Sequence, residues 1–216
     1  DIPIAAGSSA PLKQKQIFSS PFEGSSDYVT DGEKFSIEEH GIEALAQTIN
    51  DNKNDVTIAA IGPLTNLGTL FKKYPEMAKF VNQIYVMGNA IITPDKYFLN
   101  YRAYNLKVDP EAADIVFASG APITVVTTEI CKKNYLTKEE LESLKQLQHP
   151  AFDYIANTGK NWLSFINYEQ AYLYDPLVVH HYLDDKVTEK KDYGLVRVST
   201  GVEVLFKEKV LEVLRK

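Results

Sequence analysis

The stretch that most constrains how this chain folds is Val56 to Pro75, V-T-I-A-A-I-G-P-L-T-N-L-G-T-L-F-K-K-Y-P. Val56 to Ile61 is a short apolar run rich in β-branched residues. A Gly-Pro turn at Gly62 and Pro63 follows, and Leu64, Leu67 and Leu70 then recur on one helical face. The pattern predicts a strand feeding a helix. Pro63 suits the first helical position, where its missing N–H would have had no partner, and Gly62 permits a sharp turn. In open α/β sheets ligands sit beyond the carboxyl ends of the strands, which places Gly62 to Asn66 at the mouth of any site.

The flanks repeat this rhythm. Ile2 to Ala6 reads as an interior strand and Pro11 to Thr30 as a long loop. Ser36 with Glu39 has a capping-box pattern ahead of Ile42, Leu45, Ala46 and Ile49 at helical spacing. A short helix is expected over Glu76 to Val81 and a buried strand over Ile84 to Met87, ending at Gly88. Asp109-Pro110-Glu111 opens a helix closed by Gly120, and the strand Ile123 to Thr127 comes next. Thr137 and Glu140 form a second capping box before Leu141, Leu144 and Leu147, and Ala151 to Phe165 extends as helix after Pro150. Asp175-Pro176 starts another helix, Leu195 to Val198 a strand, and Phe206 to Leu214 a C-terminal helix. Strands alternating with helices imply a mainly parallel open sheet covered on both faces, in one α/β domain over residues 1–216. From Val198 to Val202 the step is abrupt: Ser199, Thr200 and Gly201 either join two strands or mark a missing segment.

Charge and cysteine content narrow the function. A formal net charge of -6 argues against nucleic-acid binding, which needs clustered Lys and Arg. No apolar run approaches the roughly 20 residues of a membrane-spanning helix, so small-molecule chemistry is the expectation. The single cysteine, Cys131, excludes an intramolecular disulfide and a Cys-rich metal site, and it is compatible with a cytoplasmic location. The chain starts at Asp1 rather than Met, which reads as a beginning inside a longer product.

Several residues could carry chemistry. Asp175 before Pro176 is either a helix cap or a carboxylate at a loop-to-helix junction, available to a hard cation. Asp109 before Pro110 has the same local chemistry, with the cap the leading reading. Thr65 and Asn66 fall in the first helical turn, where backbone groups and short polar side chains can face a ligand. His180 and His181 point about 100° apart on a helix and would not share a metal. Tyr168, Tyr172 and Tyr174, with Trp162 and Phe165, form an aromatic segment leading into Asp175. It is either core or a surface on which a nucleobase could stack. No nucleophile elbow, P-loop or dinucleotide fingerprint occurs.

Five blocks in order then resemble the signatures of the inosine-uridine preferring nucleoside hydrolases: I-G-P-L-T-N (Ile61 to Asn66), V-M-G-N-A (Val86 to Ala90), Y-N-L-K-V-D-P-E-A-A (Tyr104 to Ala113), S-G-A-P-I-T-V-V (Ser119 to Val126) and Y-D-P-L (Tyr174 to Leu177). The resemblance implies a Rossmann-like fold lacking the first βαβ portion. It also implies hydrolysis of the N-glycosidic bond of ribonucleosides by Ca²⁺-assisted attack of water, as in purine and pyrimidine salvage, by a homodimer or homotetramer. Carried over by motif, Thr65 would offer its carbonyl and Asp175 its carboxylate to Ca²⁺. Met87, Asn105 and Asn100 would line the ribose pocket, and Tyr174 would contact the leaving base. The family's D-x-D-P-G-x-D-D segment, which supplies the general base and most metal carboxylates, does not occur in this chain. Ala103 stands where the family has a ribose-binding glutamate, Asn89 replaces the second glycine of M-G-G, and Tyr174 replaces a histidine. The alternative implied by these departures is a catalytically inactive relative that binds a nucleoside or a protein partner.

Overall fold

The structure, a computed structural model, describes residues 2–13, 40–88 and 104–184, together with the backbone of strands at 90–93, 96–99, 189–191, 196–198, 203–205 and 210–212. The first half runs α1 (Gly41–Asp51), β1 (Val56–Ala60), α2 (Thr65–Lys73), a 3-10 turn (Pro75–Lys79), β2 (Val81–Gly88), β3 (Ala90–Thr93) and β4 (Lys96–Leu99). Next come α3 (Tyr104–Val108), α4 (Pro110–Phe117), β5 (Ile123–Thr127), α5 (Thr128–Cys131), β6 (Tyr135–Thr137), α6 (Lys138–Ser143), α7 (Pro150–Ile166), β7 (Gln170–Tyr172) and α8 (Tyr174–Leu183). Strands β8 (Glu189–Lys191), β9 (Val196–Val198), β10 (Glu203–Leu205) and β11 (Val210–Glu212) follow.

The main sheet has the order β1-β2-β5-β11-β8, and its β1, β2 and β5 run parallel. Side chains alternate across a strand, and β2 shows what that alternation does. Ile84 and Val86 pack with Ile49, Leu67, Leu70 and Val116 from α1, α2 and α4 on one face. Tyr85 and Met87 pack with Ile130, Leu177 and Val178 from α5 and α8 on the other. The sheet is therefore covered on both sides, as the alternating pattern predicts. On the first side α2 crosses α4 so closely that a Cβ added at Gly68 would lie 2.5 Å from the Ala112 Cβ. Gly120 turns the chain from α4 towards β5 at φ +80°, a conformation glycine adopts without steric cost.

Some expectations change. Ile2 to Ala6 holds only an isolated bridge at Ala5, and Ile2 and Ile4 are 88% and 51% exposed. An apolar run becomes a strand only where a neighbour completes its ladder, and none of the described residues does so along this segment. Pro63 is not the first helical residue: α2 begins at Thr65, behind Leu64 as N-cap. Nothing lies within 4 Å of a Cβ built on Gly62, so the turn does not depend on glycine there. The short helix after α2 is a 3-10 turn that starts at Pro75. Leu144 to Leu147 continue α6 as a 3-10 turn.

The expected C-terminal helix is overturned, because Val210–Glu212 pairs antiparallel with β8 and meets β5 in parallel. Helical spacing of apolar residues there yields to the open edge of β5, whose ladder the segment completes. The Thr137–Glu140 capping box is present, with Glu140 N–H donating to the Thr137 hydroxyl at 3.1 Å and Thr137 N–H to Glu140 Oε2 at 2.8 Å. Ser36 to Glu39 lie outside the described residues, and α1 starts behind His40 without a side-chain cap. Ser199 to Gly201 also lie outside them, while the flanking β9 and β10 pair antiparallel.

Candidate active site

The carboxyl ends of β1 and β2 are tied together by Asn105 in α3. Its amide nitrogen donates to the carbonyls of Ile61 at 3.1 Å and Met87 at 3.2 Å, and lies 3.6 Å from the Met87 sulfur. Asn105 and Met87 are 9% and 8% exposed, so these bonds fix a polar side chain in a nearly dry setting, where an unmade hydrogen bond would be costly. Met87 also belongs to the apolar cluster of Val126, Ile130, Cys131, Leu177 and Val178, against which Tyr174 packs. Two of the expected ribose-pocket residues thus meet directly, and Met87 links them to the start of α8. Asn100, Ala103 and Asn89 lie outside the described residues.

Asp175 is not a cap. The N-cap of α8 is Leu173, without a side-chain hydrogen bond, and Asp175 is the second helical residue. The helix start is held instead by Leu173 N–H donating to the Asn134 carbonyl at 2.9 Å, and by the Cys131 thiol 3.8 Å from the Tyr174 carbonyl. Burial raises the Asp175 carboxyl above the usual aspartate range. Burial, and then the nearby Asp175 charge, push the Cys131 thiol up to about 12. The Tyr174 phenol is raised as well, first by burial and then by Cys131, Tyr172 and Tyr168, so it stays protonated at neutral pH.

Thr65 is held by a different set of contacts. It sits at the head of α2, in the helix layer on the opposite face of the sheet from α8. Its hydroxyl donates to Asp109 Oδ2 at 2.9 Å, and its carbonyl accepts from the Thr69 hydroxyl at 2.7 Å. Asp109 does cap α4, accepting from Ala112 N–H at 3.0 Å, and its Oδ2 also accepts from Leu12 N–H at 2.8 Å. Ca²⁺ takes about six to eight oxygen ligands. Among the described residues no group of three or more His, Cys, Asp or Glu is placed to hold a metal, and the Thr65 carbonyl and Asp175 carboxylate alone are too few oxygens for it. These residues do not by themselves fit a Ca²⁺ site.

Next to Tyr174 is a cleft of about 480 Å³, lined among others by Thr128, Lys132, Tyr168, Gln170 and Tyr172. Tyr168, Tyr172 and Tyr174 form a row of rings whose centroids are 6.3 and 6.0 Å apart. The aromatic segment is thus a surface feature at the site and not core. Gln170 and Lys132 were not singled out by sequence. The signal available for Gln170 was its even spacing with the tyrosines, a two-residue period that places Gln170 and Tyr172 on one face of β7. His181 is fully buried, edge-on to Tyr85 at 5.3 Å, and His180 is exposed, in keeping with structural roles.

Known proteins resemble this chain in sequence and in fold. The sequence model described as inosine-uridine preferring nucleoside hydrolase matches residues 1–209. The chain is 30% identical over 207 residues to a pyrimidine-specific ribonucleoside hydrolase, RihA, of Shewanella baltica, covering 89% of this chain and 63% of that protein. It is 29% identical over 214 residues to a probable uridine nucleosidase 2 of Oryza sativa subsp. japonica, covering 93% and 62%. A solved plant nucleoside hydrolase superposes with a TM-score of 0.74 at 25% identity, over 94% of this chain and 68% of that one. The chain therefore spans less than two thirds of the length of these sequence relatives, 62% to 63%. With the family's model matched over residues 1–209, the chain belongs to the inosine-uridine preferring nucleoside hydrolases.

Proposed function

We propose that the protein hydrolyses the N-glycosidic bond of ribonucleosides to ribose and free base. The observation that carries this reading is the contact chain from Asn105 through Met87 to Tyr174 at the carboxyl edge of the sheet. In the reaction the bond between C1′ and the base nitrogen breaks, a water oxygen bonds to C1′, and the base nitrogen gains a proton as the water loses one. The transition state is oxocarbenium-like. With its amide nitrogen committed to two backbone carbonyls, Asn105 has Oδ1 left to accept from a ribose hydroxyl. Tyr174, kept protonated, donates a hydrogen bond to the leaving base. Asp175, one residue further on, supplies negative charge to offset the developing cation.

The test is release of reducing sugar when the purified protein meets inosine, adenosine, uridine and cytidine in turn. Sugar release from at least one nucleoside is expected, and release from none overturns the proposal. The second reading, a nucleoside binder without turnover, is favoured by the lack of an acidic cluster among the described residues. Calorimetric binding without sugar release would support it. No helix among the described residues is long and apolar enough to cross a membrane. A cytoplasmic salvage role and a homodimer or homotetramer complete the proposal, and light scattering at assay concentration tests the oligomer.

A further inference from the structure

Beside the cleft next to Tyr174 is a second one of about 400 Å³, and the two share Tyr168, Gln170, Tyr172 and Tyr174 as walls. What distinguishes them is the remaining lining. The first adds Thr128, Lys132, Asn167 and Glu169, all polar or charged, whereas the second adds Trp162, Leu163, Ile166 and Ala171, all apolar or aromatic. Three tyrosine rings stepping by 6.3 and 6.0 Å form a row longer than a single nucleobase can cover, since one such ring already matches a pyrimidine in size. Trp162 stays 37% exposed, with its ring 6.1 Å from Phe165. An aromatic surface left open next to a leaving-group site can bury further apolar area of a ligand that reaches it.

We infer that the second cleft is an aglycone-extension subsite, so that the preferred substrates are nucleosides whose base carries an apolar or aromatic substituent. The base rests against Tyr174 and Tyr172, Gln170 hydrogen-bonds its edge, and the substituent crosses Tyr168 to lie against Trp162 and Ile166. This rests on the nucleoside reading above and extends it to a class of substrate.

Trp162 is the only tryptophan of the chain, so its fluorescence reports on the second cleft directly. The experiment compares adenosine with N6-benzyladenosine and uridine with 5-benzyluridine. Binding is measured by calorimetry and by Trp162 emission, and sugar release by the reducing-sugar assay. In at least one pair the benzyl compound is expected to bind about tenfold more tightly, the gain expected from burying an aromatic group. It should also change Trp162 emission where its parent does not. Trp162→Ala, which touches only the second cleft, should abolish the gain and leave the parent's affinity unchanged. Parents that bind or react with no gain in either pair, or a gain without any change in Trp162 emission, overturn the subsite and leave the nucleoside reading standing. If no nucleoside binds at all, both fail.

Discussion

Asp109 is a buried carboxylate whose loss should cost this fold several hydrogen bonds at once. It is 1% exposed, and its two oxygens accept three hydrogen bonds, from Ala112 N–H, Leu12 N–H and the Thr65 hydroxyl. Asp109→Ala removes all three. A helix cap contributes about 1 kcal/mol, and a hydrogen bond to a charged acceptor about 1.5 to 3 kcal/mol. Leu12 N–H is partly buried and can regain water, so it counts near the lower end. The Thr65 hydroxyl, in a residue 7% exposed, stays buried without its acceptor and counts near the upper end. The expected loss is about 5 to 6 kcal/mol. In urea, with an m-value of about 2 kcal/mol/M, the midpoint should fall by about 2.5 to 3 M at unchanged m. Asp109→Asn keeps one carboxamide oxygen, which can serve the cap or the other pair but not both. Its loss should be intermediate, about 2 to 3 kcal/mol. A loss below about 1 kcal/mol for the alanine variant, or an asparagine variant as stable as the parent, would refute the view that this carboxylate joins the N-terminal segment, α2 and α4.

Four further outcomes follow from the structure. Gly68→Ala forces a Cβ onto Ala112 at 2.5 Å and should cost about 1 to 3 kcal/mol, whereas Gly62→Ala, facing open space, should change the thermal midpoint little; equal effects would contradict the α2–α4 contact. Cys131, buried and raised to about 12, should react with a thiol reagent at pH 8 only as fast as the protein unfolds, and rapid labelling of the folded protein would count against its placement. Because burial raises the Asp175 carboxyl, the native state keeps its proton at a pH where the unfolded chain has lost it. Its contribution is then fully present below the ordinary aspartate value and is lost as pH rises through the folded one. Asp175→Asn should therefore raise the thermal midpoint at pH 7 while lowering nucleoside hydrolysis, and a lower midpoint would reverse the assigned sign. Tyr174→Phe removes the proposed donor to the leaving base and should lower kcat by about 10²- to 10⁴-fold; an unchanged kcat would take the phenol out of the reaction.

Much of this protein is legible in its sequence because periodicity and capping are local. The strand, turn and helix of Val56 to Pro75, the Thr137–Glu140 box, the Asp109 cap and the Gly120 turn each depend on neighbours a few residues away. The five ordered blocks singled out Met87, Asn105, Tyr174 and Asp175 through resemblance to a family, and not through local periodicity. Pairing is not local. Ile2 to Ala6 has the composition of a strand and, beyond a bridge at Ala5, finds no ladder partner among the described residues. Phe206 to Leu214 reads as a helix, yet its Val210 to Glu212 takes the edge of β5 instead. Tertiary structure alone decided that Thr65 turns to Asp109 on one face of the sheet while Asp175 lies beside Cys131 on the other. It also decided that Asn105 binds the carbonyls ending two neighbouring strands. These contacts join residues 44 positions apart for Thr65 with Asp109 and for Asn105 with Ile61. Only the closing of the sheet brings such residues within hydrogen-bonding distance.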